Sequence, residues 1–363
     1  MEQNELTFFT FSEQLNNLDM FLSNYNLDII ATCPENRLNN LIKVKNRVCR
    51  FCGKTSPETT FKSIAHLIPK MLGNVHYISD FECDNCNQKF SVYETDLSKF
   101  LGLQRTVIPV NKSKIPEIRS SKEAVIAKQS DLFDSEGIEI SRKDVSDESF
   151  SLDKETGIFQ VVYDKQPYKP INVYKALLKI ALSIVHKDDI TLYSRAIKFV
   201  SGEYDDKKID FAKIVIYQVP IELSYSKPVC FLFKKVSSDN PLPTHIFKFY
   251  FQNTVFEFPV PFNENDKMLG PVDLTMCPPL FFSEPKVSYN TVQANLLNLS
   301  SKELSYQKGM LSFQMNPESI KNADVFDLNL KTNTKAELES DQIVKIILAP
   351  IGYKPNIFND QYK

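Results

Sequence analysis

The chain has 363 residues, 42% hydrophobic and 24% charged, with a formal net charge of -2. A globular chain of this length forms two domains or one large one and buries about 75% of its unfolded surface. Nine Gly against 27 Phe and 15 Tyr exclude a flexible or low-complexity chain and favour packed β-structure.

The opening "MEQNELTFFTF" has no basic n-region and no apolar core of a signal peptide, and no run approaches the roughly 18 apolar residues of a membrane span. The chain therefore reads as cytoplasmic. In "SEQLNNLDMFLSNY", Leu15, Leu18, Phe21 and Leu22 recur at helical spacing, and a second short helix is expected after Pro34. A cysteine-bounded segment runs from about 47 to 103. Residues 106–150 are polar and charge-rich and read as a connector with one strand. "GIFQVVYD" has the look of a strand. In "NVYKALLKIALSIVHK", Val173, Ala176, Leu177, Ile180, Ala181 and Ile184 form one apolar stripe, and the spacing predicts the chain's best helix. "TLYSRAIKFV" follows as another helix. "FAKIVIYQV", "PVCFLFKKV", "HIFKFYFQ" and "TVFEFPV" then read as strands. In the third of these, Phe247, Phe249 and Phe251 alternate with Lys248, Tyr250 and Gln252, which predicts a half-buried antiparallel strand. The fold class is α+β, and no residue pattern beyond about 110 identifies a reaction.

Charge is unevenly spread. From Arg37 to Lys114 there are 13 Lys and Arg against six acids, a net +7, so the remainder carries -9. A local positive field suits a phosphate-rich partner for one part of the chain. Of the seven cysteines, Cys33, Cys230 and Cys277 are isolated, whereas Cys49, Cys52, Cys83 and Cys86 form two Cys-x2-Cys pairs thirty residues apart. Neither pair sits in a βαβ pattern, which disfavours redox chemistry. Two such knuckles supply the four soft thiolates of a structural Zn²⁺ site. The binding free energy of such an ion, roughly 10–16 kcal/mol, can hold together a segment with little core of its own.

Between the knuckles lies "FKSIAHLIPKMLGN". With "ECDNCN", "FSVYE" and "DLSKFLGLQRT", it resembles the bacterial HNH endonucleases of the ββα-metal superfamily, whose core reads F-x-x-x-A-H-x-x-P, G-N, E-C-D-x-C-N and F-S-x-x-E in that order. The resemblance covers about 47 to 116. It implies a treble-clef zinc frame, with His66 at the end of a β-strand as general base for a water attacking phosphorus. It also implies that Asn87 opens the helix and offers a hard oxygen to Mg²⁺ or Mn²⁺. Glu94, two helical turns on and about 10 Å along the axis, is placed in a water-mediated metal contact. Asn74 is expected to orient His66, His76 is a further ligand candidate, and Lys62, Lys70, Lys89 and Arg105 are expected phosphate contacts. Ala65 departs from the many HNH enzymes that carry an acid or His before the catalytic His. Two readings stay open, an inactive site or one where a single Asn holds a largely hydrated Mg²⁺, and the group resembled itself shows A-H.

The expected organisation is an N-terminal helical segment (1–46), an HNH domain with the four-cysteine zinc site (47–105), a connector (106–150) and an α+β domain (151–363). The expected function is Mg²⁺-dependent hydrolysis of double-stranded DNA, in a restriction or antiphage setting. For the last domain, regulation, recognition, homodimerisation and binding of a ligand or partner protein are all open. The rival reading is a non-catalytic zinc module that binds nucleic acid or protein.

Overall fold

The helical spacing of Leu15, Leu18, Phe21 and Leu22 forms α1 (Leu15–Leu22), entered through a 3-10 turn at Ser12–Gln14. Its buried Phe21 stacks on Tyr25 and meets Phe233 edge-on, with ring centroids 4.9 and 5.0 Å apart. The computed structural model describes residues 7–32, 47–74, 76–108, 115–130, 137–144, 146, 148–203, 210–266, 276–315, 320, 323–327, 332–336 and 343–348. Cys33, the helix expected after Pro34, and the basic residues Arg37, Lys43, Lys45, Lys112 and Lys114 lie outside the described residues.

Next along the chain come β1 (Tyr25–Thr32), β2 (Ala65–His66), β3 (Ile78–Ser79), α2 (Asp84–Leu101) and α3 (Gln104–Val107). The charge-rich stretch read as a connector holds β4 (Ile118–Arg119), β5 (Val125–Gln129) and β6 (Ile138–Arg142), and then come β7 (Phe150–Asp153) and β8 (Ile158–Asp164). The strongly periodic segment forms α4 (Pro170–Ile184), with Pro170 in the first turn, where its missing N–H costs nothing. After α5 (Ser194–Val200) lie β9 (Lys213–Gln218), β10 (Tyr225–Lys235), β11 (His245–Gln252), β12 (Thr254–Pro259) and β13 (Gln293–Asn298). The last strands are β14 (Lys308–Gln314), β15 (Ala323–Asp327), β16 (Thr332–Ala336) and β17 (Lys345–Leu348). Among the described residues no helix is long and apolar enough to cross a membrane.

By contacts, the chain groups into two units, each made of two stretches of sequence. The first joins Met1–Leu97 with Lys169–Glu303, and the second joins Ser98–Tyr168 with Leu304–Lys363. This grouping differs from the sequential division expected above. In the first unit an antiparallel sheet runs in the order β1-β10-β11-β12-β9-β13. Phe231, Phe233, Ile246, Tyr250 and Val255 on one face pack with Phe11, Phe21 and Phe281. On the other face Phe258 meets Tyr174 of α4 at a ring-centroid distance of 5.4 Å. The second unit has two sheets, β14-β8-β7 and β17-β6-β5-β4, around Val125, Ile140, Phe159 and Val161.

The half-buried expectation for β11 is overturned, because every one of its residues is buried. The strand lies inside the sheet, and both faces are covered. Lys248 is tolerated there because it stands directly opposite Glu257, 2.5 Å from its carboxylate, and also donates to the Cys277 carbonyl. Burial pushes the Glu257 carboxyl up, and Lys248 and the Cys277 N–H oppose the shift. Removing one member of such a pair would strand a buried charge.

Candidate metal centre and active site

The two knuckles fold onto one another. All four cysteine sulfurs lie within 4.8 Å of each other, and Cys52 Sγ and Cys83 Sγ are 3.7 Å apart. Zinc–sulfur bonds of about 2.3 Å in a tetrahedron set sulfurs about 3.8 Å apart, so the donor set fits a structural zinc. The first knuckle closes through Gly53, at φ +69°, whose N–H bonds back to the Cys49 carbonyl at 2.8 Å. The second knuckle runs into α2, where the Asn87 N–H donates to the Cys83 carbonyl at 2.9 Å.

Between the knuckles, β2 and β3 form a two-stranded antiparallel ribbon that pairs His66 with Ile78 and Ala65 with Ser79. The fully buried Asn74 amide holds its loop by donating to the Ile68 and Tyr77 carbonyls at 2.7 and 2.8 Å and accepting from the Tyr77 N–H at 2.8 Å. Its bonds thus go to backbone; any effect on His66 runs through the loop. The approach to β2 is clamped onto the helix start by Asp84, which accepts from the N–H groups of Lys62 and Ser63 at 3.0 and 2.7 Å and from the Thr60 hydroxyl. Slight desolvation raises the Asp84 carboxyl, but these donors outweigh it and hold it at about 2.

His66 is half-buried, and its Nδ1 makes no hydrogen bond among the described residues. Burial lowers its pKa first, and the positive charges of Lys70 and Lys179 and the neighbouring His76 lower it further. The imidazole is therefore neutral at pH 7, the form that accepts a proton.

Lys179 comes from α4 and was missed in the sequence. Its side chain is 1% exposed; the ammonium donates to the His66 carbonyl at 2.6 Å and lies 3.0 Å from the fully buried Glu82 carboxylate. Glu94 shares this electrostatic neighbourhood: burial and Glu82 raise its pKa, and Lys179 opposes them. Further contacts fasten the segment to the same unit. Arg50 Nη1 donates to the carbonyls of Leu182, Ser183 and Val185, capping the C-terminal end of α4, where a cation is favoured. Asn172 of α4 donates to Asp96 of α2 at 2.7 Å. A signal for this existed: Leu178 and Leu182 fall outside the apolar stripe, and a helix hydrophobic all round is buried.

The remaining expected residues are distributed as follows. Asn87 lies in the first turn of α2 and Glu94 two turns along it, both partly exposed. Ala65 is 1% exposed. Lys62 and Lys70 are exposed near His66 in sequence, and His76 is partly exposed. The Lys89 ammonium is engaged with the Ser201 carbonyl at 2.7 Å. Arg105 belongs to the second unit, where it lines a cavity of about 350 Å³ with Lys99, Arg119 and Lys165.

Comparison with known families adds one finding. The family model described as HNH endonuclease matches residues 49–97, from the first cysteine of the cluster to Leu97. That segment is an HNH domain carrying a four-cysteine cluster, within an α+β chain. No curated protein and no solved structure matches the chain.

Proposed function

We propose that the protein is a metal-dependent HNH endonuclease that hydrolyses DNA phosphodiester bonds. The observation that carries this reading is a half-buried His66 on β2, its Nδ1 making no hydrogen bond among the described residues, held inside the HNH-matched segment by the buried ammonium of Lys179. His66 takes the proton of the attacking water. Asn87 and Glu94 offer hard oxygen donors from α2, Asn87 directly and Glu94 through water, and these are the residues that would hold Mg²⁺ or Mn²⁺. Such an ion neutralises charge on the scissile phosphate when bound. Lys62 and Lys70 supply exposed positive charge for the DNA backbone, and Arg105 is a further candidate.

The HNH match supports DNA as substrate, and the form cleaved in this reading is the duplex. A restriction or antiphage role, with the remainder of the chain recognising, regulating or pairing with a second copy, extends the same reading by analogy. The buried, apolar Ala65 favours a second reading, a zinc module without chemistry. Plasmid cleavage separates the two. With Mg²⁺ the wild type should nick plasmid and EDTA should stop it, while His66→Ala should lose roughly 10²–10⁴-fold without losing zinc. Asn87→Ala should be as severe and Glu94→Ala milder. Wild-type cleavage by His66→Ala would overturn the mechanism.

A further inference from the structure

Three side chains outside the HNH segment converge within the first unit. Asp28 is on β1, at the point where the register with β10 slips between Leu27 and Ile29, so it is the extra residue of a β-bulge. Bulges re-aim a side chain and recur beside functional sites. Asp189 lies in the turn that follows α4, just before a 3-10 turn at Ile190–Tyr193. His245 opens β11 and is 0% exposed.

His245 Nε2 is 3.7 Å from Asp28 Oδ2 and 4.0 Å from Asp189 Oδ2, and the three ligand atoms all lie within 4.8 Å of one another. A hydrogen bond from this nitrogen would close to about 3.0 Å, and Nε2 makes none among the described residues. Donors bound at about 2.1 Å to one tetrahedral ion stand about 3.4 Å apart, close to the spacing seen here. The other ring nitrogen is fixed, because Nδ1 and the Tyr193 hydroxyl are 2.6 Å apart. With Nδ1 protonated and donating to Tyr193, the Nε2 lone pair faces the carboxylates, as outer hydrogen bonds arrange for metal-bound imidazoles. Lys234, directly opposite His245 in the β10–β11 pair, holds Asp189 Oδ2 at 2.6 Å and offsets one of the two negative charges. The Asp28 side chain is 30% exposed, which leaves an entry path and room for water.

We infer that Asp28, Asp189 and His245 form a second divalent-cation site, for a borderline ion of the zinc type, separate from the four-cysteine cluster. One imidazole nitrogen with two carboxylates favours such an ion over Mg²⁺ or Ca²⁺, which take oxygen alone. The site ties the edge strand β1 to the segment leaving α4.

The test uses the full-length, zinc-replete protein in excess Mg²⁺, titrated with Co²⁺. The expected result is about one Co²⁺ per chain with weak visible bands and no thiolate charge transfer; any exchange into the cysteine cluster shows separately through that transfer. Asp28→Asn and Asp189→Asn should weaken this binding by at least roughly tenfold, and His66→Ala and Asn87→Ala should leave it unchanged. The aspartate variants avoid opening the core at His245. Absence of such bands in the wild type, or bands of equal affinity in both aspartate variants, would overturn the site.

Discussion

Replacing Lys179 with Met removes one buried cation and leaves its length almost unchanged. In the wild type the ammonium lies 3.0 Å from Glu82 and 2.6 Å from the His66 carbonyl, and both charged side chains are all but inaccessible. Without it, Glu82 is a buried carboxylate with no cation, a change that costs about 3–5 kcal/mol. For a unit of this size, each kcal/mol shifts the melting temperature by roughly 2–4 °C, so a fall of roughly 6–20 °C is expected. The loss should depend on pH. Burial already raises the Glu82 carboxyl, and the variant raises it further because Lys179 no longer opposes the shift. An acid whose folded pKa is raised destabilises the fold as pH rises through that window, and protonation at lower pH relieves it. The deficit of Lys179→Met should therefore shrink between pH 8 and pH 5. Lys179→Met with Glu82→Leu should recover much of the stability, because the stranded charge is gone, yet it should not recover plasmid cleavage, because the His66 carbonyl has lost its donor. Urea unfolding of the four proteins in the cycle measures the coupling. A single variant within about 1 kcal/mol of wild type, or a double variant no better than the single, would refute the reasoning.

Purified protein should hold about one tightly bound zinc at the cysteine cluster, and Cys49→Ser or Cys83→Ser should expose residues 47–103 to proteolysis; wild-type digestion patterns in both would refute the site. Cleavage at saturating Mg²⁺ should rise with pH and level off by pH 7, because burial and nearby positive charge keep the His66 pKa below its ordinary value; activity that falls between pH 6 and 7.5 would contradict a neutral base. DNA affinity of His66→Ala should drop steeply between roughly 50 and 200 mM salt, whereas salt-independent binding would point away from phosphate contacts.

The four-cysteine cluster was legible because four thiols at two fixed spacings have few other uses, and α4 because its apolar stripe runs through three turns. What sequence could not show was which polar residues face inward. Lys179 looked like the solvated side of an amphipathic helix, and Lys248 like the wet face of a strand. Each is buried because a carboxylate outside its own helix or strand, Glu82 or Glu257, meets it. Glu82 is far from Lys179 in sequence, and Glu257 stands opposite Lys248 only through the register of β11 with β12, so neither pairing leaves a periodic trace. The strand β1 was missed although Tyr25, Leu27 and Ile29 alternate with Asn26 and Asp28, because the alternation is short and breaks at Ile30, and the bulge that accommodates Asp28 is set by its partner β10. In 106–150, charge masked the strands β4 to β6, whose inward residues Val125, Ala127, Ile138 and Ile140 pack one core with Phe159 and Val161 of β8.

The dependence of β2 on α4 has a consequence for the order in which the chain is made. His66 and Lys179 are 113 residues apart, so at synthesis rates of about 5–20 residues per second the donor to the His66 carbonyl leaves the ribosome roughly 6–20 s after the imidazole. During that interval the cysteines can take up zinc while β2 lacks its support. A nascent or prematurely terminated chain would then carry a nuclease signature without nuclease action. Release of a stalled chain ending before α4, set beside the full-length protein, should show it: both should bind zinc, and only the full-length protein should nick DNA.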